Sequence, residues 1–238
     1  MQGQTPRWRQ SSQVFHERAS EYDAWFEDSL LFAIEKNAIQ SLPLTFSGPA
    51  LEVGVGPGRF ASALGTPFGI DPAFTPLLLA KKRGIATTQA IAEELPFTTA
   101  SLGAIYLLFT LCFVESPTRV FQECSRVLRP GAPLIAGFIP AGSVWGRNLI
   151  QKKEKGHPFY QSARFYTVSE VTQLFTEHGF QVHSSASTLY QPPGNVTEME
   201  EAKAGMDEQA GFVIIAGTTP ATGAPSTQNL NIGLPPQS

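Results

Sequence analysis

The apolar residues of this chain change their spacing several times, and each change marks an element. From Val14 to Gln40 they recur every three or four positions, with Phe15, Ala19, Tyr22 and Phe26 on one face. That spacing predicts amphipathic helix in two pieces. SLPLTFSGP (41–49) is rich in turn formers and reads as a connection. A shorter rhythm follows. ALEV (50–53), PFGI (67–70), IATTQAIA (85–92), LGAIYLLF (102–109) and PLIAGFI (133–139) predict strands. RFASALG (59–65), AFTPLLLAKKRG (73–84) and PTRVFQECSRVLRPG (117–131) predict the helices between them. The rhythm breaks over 141–166. It resumes with the helix TVSEVTQLFTEHG (167–179), opened by a capping box of Thr167 and Glu170, and with strands at FQVHSSAST and GFVIIAG (211–217).

Strands alternating with helices imply an α/β fold, a doubly wound Rossmann-like sheet with helices on both faces. The pattern delimits one domain over 14–217, with helices at 14–40 forming an N-terminal lid and an insert at 141–166 forming a second. Residues 1–13 read as a flexible lead. Residues 218–238 have few large apolar side chains and much Pro, Thr, Ser and Gly, which predicts a disordered tail.

Composition narrows the function classes. Formal net charge is -3 with no basic stripe, which excludes nucleic acid as a general partner. The longest apolar run, AIYLLFTLCFV (104–114), is too short for a membrane span. The first fifteen residues are polar and do not read as a signal peptide. Cys112 and Cys124 read as buried reduced thiols, which fits a cytoplasmic protein, and the sequence shows no metal-ligand cluster.

The chemistry concentrates in LEVGVGPGRF (51–60), where a glycine loop follows the first strand and opens the first helix. Glycines there let the backbone turn sharply and let a ligand lie against bare main chain. The helix start adds free N–H groups. Arg59 stands where a dinucleotide fingerprint needs its third glycine, which argues against a nicotinamide-dependent oxidoreductase. Asp71, in GIDPA at the end of the second strand, suits the two hydroxyls of a ribose, or a cap on the following helix. IAEELPF (91–97) leaves the third strand where an adenine would lie.

With LEVGVGPGRF, GIDPAFTPLLLAKKRG, AEELPF and RVFQECSRVLRPGAPLIAGF in this order, the chain resembles the class I S-adenosylmethionine-dependent methyltransferases, in particular the small-molecule group related to the ubiquinone-biosynthesis methyltransferases. The resemblance is strong over about 50–140 and looser to 217. It implies a seven-stranded sheet, mostly parallel with the last strand antiparallel. It implies S-adenosylmethionine as cofactor, S-adenosylhomocysteine as product and a small-molecule acceptor. Gly54, Gly56 and Gly58 would then wrap the methionine and ribose of the cofactor, and Glu52 would support the methionine end. Asp71 would hold the ribose, with Pro72 and Ala73 beside the adenine and Ala92 and Glu93 at its edge. Leu108, Phe109 and Thr110 would lie by the sulfonium, and Tyr22 would act as a lid near the methionine end. Ile91 departs from the family, where many members carry an Asp for the adenine amino group. Leu102-Gly103 departs from the usual Phe-Asp at the start of the fourth strand.

Methyl transfer from a sulfonium is an in-line displacement and needs alignment and exclusion of water more than acid or base help. Candidates for a base or pocket wall lie in KGHPFYQSARFY: His157, Tyr160 and Tyr166. His157 also reads as a surface residue beside Pro158, and the two tyrosines also read as lid packing. Arg164 would pair an acceptor carboxylate or an acid of the leading helices such as Glu21. A non-catalytic protein that binds S-adenosylmethionine is the alternative, kept open by Ile91 and by the lack of an evident base.

Overall fold

The computed structural model describes residues 5–220. Three helices lead the chain: α1 (Arg7–Glu17), α2 (Ala19–Ala24) and α3 (Leu30–Gln40). Alternation then runs β1 (Ala50–Val53), α4 (Arg59–Leu64), β2 (Phe68–Asp71), α5 (Phe74–Lys82), β3 (Ala86–Gln89), β4 (Ala104–Leu108), α6 (Pro117–Val127) and β5 (Pro133–Phe138). After these come α7 (Val144–Glu154), α8 (Val168–Glu177), β6 (Gln181–Thr188), β7 (Lys203–Ala204) and β8 (Phe212–Thr218).

The strands form one sheet in the order β3-β2-β1-β4-β5-β8-β6-β7. β1, β4 and β5 are buried at every position because helices cover both faces. β1 pairs in parallel with both β2 and β4, while β8 runs antiparallel to both β5 and β6. The antiparallel last strand is as expected. The sheet has eight strands rather than seven, because the two-residue β7 adds to β6 beside Ala186 and Ser187. Strand order reverses between β1 and β4. Ligands of doubly wound sheets bind at that reversal, outside the carboxyl ends of the strands.

The expected flexible lead is helical from Arg7 onward, and the leading segment is three helices rather than two. Tertiary contacts order α1 where apolar periodicity is missing. The Arg7 N–H donates to Glu115 Oε2 at 2.6 Å, and the buried Ser11 hydroxyl shares a hydrogen bond with Ser162 at 2.8 Å. The insert contains α7 and an irregular stretch to Tyr166. It meets the leading helices through aromatic rings: Phe159 lies 4.9 Å from Trp25 and 5.3 Å from Phe15, centroid to centroid. The capping box of Thr167 and Glu170 is formed. Of the tail expected to be disordered, 218–238, Thr218 closes β8, and the residues beyond 220 lie outside those described.

Candidate active site

Two cavities open above the sheet: the first over the carboxyl ends of β1, β2 and β4 against α1 and Tyr22 of α2, the second over the ends of β4 and β5 against the leading helices and the insert. Each holds about 900 Å³ of empty space with its mouth included, at the upper end for small-ligand sites. Phe15, Tyr22, Phe26, Phe109 and Phe113 line both and form the common wall.

The first cavity gathers the glycine loop, the end of β2, the 90–93 segment and the end of β4. Asp71 is fixed by two backbone donors: Gly56 N–H to Oδ2 at 3.0 Å and Ala73 N–H to Oδ1 at 2.8 Å. Burial pushes its pKa up to about 6 despite both donors. Glu52 projects from the middle of β1 and is almost fully buried. Its Oε2 has no hydrogen-bond partner, and burial holds its pKa well above the ordinary value, only partly offset by the Ala61 amide in the first turn of α4.

Thr110 packs under Gly54, its hydroxyl donating to the carbonyls of Val53 and Leu108 at 2.8 and 3.0 Å. Phe109 adopts φ +57°, a left-handed conformation costly for a bulky residue. Its N–H donates to Gly137 at 2.8 Å and its ring stacks on Phe212. Strain held in place by such contacts is typical of functional positions.

Of the expected cofactor residues, Tyr22, Glu52, Gly54, Gly56, Asp71, Pro72, Ala92, Glu93, Leu108, Phe109 and Thr110 all border this cavity. Gly58 does not. It has φ +79°, and a Cβ there would lie 2.8 Å from the Ala80 Cβ, so its role is close packing of the loop on α5. Ala73 also lies outside the lining and contributes its N–H to Asp71 instead. Glu93 divides its work. One oxygen accepts from the N–H groups of Glu115 and Ser116 at 2.7 and 3.1 Å, and the other is buried without a partner.

Several residues escaped the sequence reading. Asp23, on α2, receives Arg59 through two hydrogen bonds of 2.7 and 3.0 Å and Arg83 at 2.9 Å. Arg83 also donates to the Pro57 carbonyl at 2.8 Å. This cluster fastens α2, and with it Tyr22, to the glycine loop. Burial alone would raise the Asp23 pKa, but the two guanidinium groups outweigh it and hold the carboxyl below its usual range. A second clamp holds the 91–97 loop: Arg126 donates to the carbonyls of Phe97 and Leu95 at 2.8 and 3.0 Å, and Glu123 accepts the Leu95 N–H at 2.8 Å. The motif in α6 thus supports the motif after β3.

The second cavity is mostly aromatic and lies against the insert. Tyr160 and Tyr166 line it, and the Tyr166 hydroxyl is buried without a partner. His157 borders neither cavity. Its ring packs behind Tyr160 at 5.0 Å, and partial burial with nearby Lys152 pushes its pKa down. Arg164 pairs with Glu170 at 3.2 Å and covers the Tyr166 ring, so the expected pairing with Glu21 is not formed. Cys112 lines this cavity, but burial pushes its thiol up to about 12, which keeps it protonated. Glu35, from α3, is the only acidic residue in the lining, and no Lys, Arg or His stands there among the described residues.

Among the described residues, no group of His, Cys, Asp and Glu is placed to hold a metal, and no helix is long and apolar enough to cross a membrane. The sheet order, the glycine loop at the reversal and the carboxylate at the end of β2 define a doubly wound domain built to hold a nucleoside-containing cofactor.

Comparison with known proteins makes that class specific. A family model described as "Methyltransferase domain" matches residues 51–136. An uncharacterized protein of Mycobacterium tuberculosis is 40% identical over 207 residues, covering 85% of this chain and 73% of its own length. An uncharacterized protein of Methanocaldococcus jannaschii is 34% identical over 204 residues, covering 85% of this chain and 97% of its own length. A solved structure from Thermotoga maritima, described as an S-adenosylmethionine-dependent methyltransferase and "possible histamine N-methyltransferase", superposes with a TM-score of 0.81 at 33% identity. That match covers 89% of this chain and 99% of the Thermotoga chain. The chain belongs to the class I S-adenosylmethionine-dependent methyltransferases.

Proposed function

We propose that this protein transfers a methyl group from S-adenosylmethionine to a small-molecule acceptor, with the cofactor in the first cavity and the acceptor in the second. The observation that carries this reading is the shared wall. Two cavities meet at Phe15, Tyr22, Phe26, Phe109 and Phe113, so a methyl group presented at that wall has an acceptor space directly behind it.

The residues of the first cavity fit the cofactor. Asp71 keeps acceptor capacity beyond its two backbone donors, as a pair of ribose hydroxyls requires. The unpartnered Oε2 of Glu52 is a buried acceptor for the ammonium of the methionine part. Ala92 and the free oxygen of Glu93 border the adenine position in place of the Asp that Ile91 replaces. Bound there, S-adenosylmethionine supplies a methyl already activated by its sulfonium. The protein aligns the acceptor through the aromatic walls and excludes water with α1 and α2 over the first space and the insert over the second. A non-catalytic role would leave the second cavity without a purpose.

Titration with S-adenosylmethionine by calorimetry tests the cofactor assignment, with NADH as control. Binding in the micromolar range is expected, and Asp71→Ala should weaken it by about 2 kcal/mol or more, the cost of losing hydrogen bonds to a charged acceptor. Ribose hydroxyls favour the charged form of Asp71, so its pKa falls on binding from about 6. Affinity should therefore hold above pH 6 and decline as pH drops through that value. Preference for NADH, or unchanged binding by Asp71→Ala, contradicts the assignment.

A further inference from the structure

Glu35 breaks the rule of its own helix. On α3, Leu31, Ile34, Ala38 and Ile39 repeat at the spacing of an apolar stripe, which Leu42 continues just past the helix, and Glu35 falls within that stripe. It is 5% exposed, and its carboxyl makes no hydrogen bond or ion pair among the described residues. It opens into the second cavity beside Leu31 and Phe32, one helical turn away on the same face. A lone carboxyl in an apolar, largely aromatic space is unfavourable unless something enters to pair it. The titratable groups sharing this cavity are Tyr22, Cys112, Tyr160 and Tyr166, all held protonated by burial, so none supplies a counter-charge.

Resting on the methyl-transfer reading above, we propose that the acceptor is a small amine with an aromatic or apolar body, its nitrogen held by Glu35 and its body by the aromatic walls. The chemistry selects this class over others. An anionic acceptor would lie without a counter-charge in a dry space, because no Lys, Arg or His stands in this lining among the described residues. An alkanol must lose a proton far more tightly held than any carboxylate can take before it attacks. An amine needs only its free lone pair. Its ammonium form is attracted to the carboxylate and to the surrounding ring faces. Burial raises the Glu35 pKa to about 8, near enough to an alkylammonium value of about 10 for proton transfer between them to cost little. The step balances as follows. The ammonium gives one proton to the Glu35 carboxylate. The amine lone pair forms the N–C bond as the C–S bond breaks. The positive charge passes from sulfur to the methylated nitrogen, which leaves as an ammonium, and the proton held on Glu35 goes to water when the next ammonium enters.

The test is binding to the protein loaded with S-adenosylhomocysteine, using 2-phenylethylamine, 2-phenylethanol and 3-phenylpropanoate as probes in calorimetry. The amine should bind at least about tenfold tighter than the alcohol, and the carboxylate least, as expected for one charge-assisted hydrogen bond. At neutral pH, uptake of the ammonium should release the Glu35 proton, seen as a heat that changes with buffer ionisation enthalpy. Glu35→Gln should remove both the preference and the proton release while keeping S-adenosylhomocysteine affinity within about twofold. Glu35→Leu, which completes the apolar stripe, gives the same test should the Gln variant fail to bind S-adenosylhomocysteine. Equal binding of amine and alcohol, no amine binding to the loaded protein, or a preference that survives in the variants overturns the amine assignment alone. Failure of the wild type to bind S-adenosylhomocysteine overturns the methyl-transfer reading beneath it.

Discussion

At the scale of single residues, neighbouring glycines of one loop have separable jobs. A Cβ at Gly58 would lie 2.9 and 2.8 Å from the Ala80 Cα and Cβ, while the nearest atom to a Cβ at Gly56 is Tyr22 Cε1 at 3.6 Å, across the cavity. Gly58→Ala adds both strain at φ +79° and overlap with α5, and should cost about 2–3 kcal/mol of stability. Gly56→Ala should cost about 1 kcal/mol, for backbone strain alone, and should chiefly weaken cofactor binding. Thermal melts paired with S-adenosylmethionine titrations separate the two effects, and equal loss of stability in both variants would contradict the assignment. Spacing placed all three glycines in the loop but could not separate them, because the separation depends on which element packs beneath each. Glu35 was legible in principle. Its stripe is visible in LLFAIEKNAIQSL, and a charged residue inside an apolar stripe is a signal in its own right.

At the scale of elements, the short helix beside the site is fastened by charge as well as by aromatic packing. α2 is only six residues long and is held at the glycine loop by Asp23, Arg59 and Arg83. Asp23→Ala leaves two partly buried guanidinium groups without their partner and should cost about 1–3 kcal/mol. For a chain of this size that lowers Tm by about 2–12 °C, with a matching loss of cofactor affinity as Tyr22 loosens. The wild-type contribution follows the depressed carboxyl pKa: it is complete above the unfolded value near 4 and is lost as pH falls through the lower folded value. A melt and affinity unchanged from wild type would show that the cluster does not hold the helix. Buried strands were readable because full burial leaves continuous apolar runs such as AIYLL and PLIAGF. α1 was not, because RWRQSSQ is ordered by Arg7, Ser11 and their distant partners, which leave no periodic trace. The two residues of β7 carry no signal at all.

At the scale of the whole molecule, the sheet order places the reversal between β1 and β4, and everything the site needs converges above it. The fold and the cofactor side were largely present in the sequence because glycine loop, Asp71 and the 91–97 segment each follow a strand directly. The second cavity, where we propose the acceptor binds, was less so. Its walls come from the leading helices, the ends of β4 and β5 and the insert, which no local spacing brings together. The measurement that decides the central claim is a crystal structure with S-adenosylhomocysteine bound. The ribose is expected on Asp71, the adenine beside Ala92 and Glu93, and the sulfur at the wall of Tyr22 and Phe109, facing the cavity of Glu35. A nucleoside elsewhere, or a sulfur turned away from that wall, would contradict methyl transfer between the two cavities.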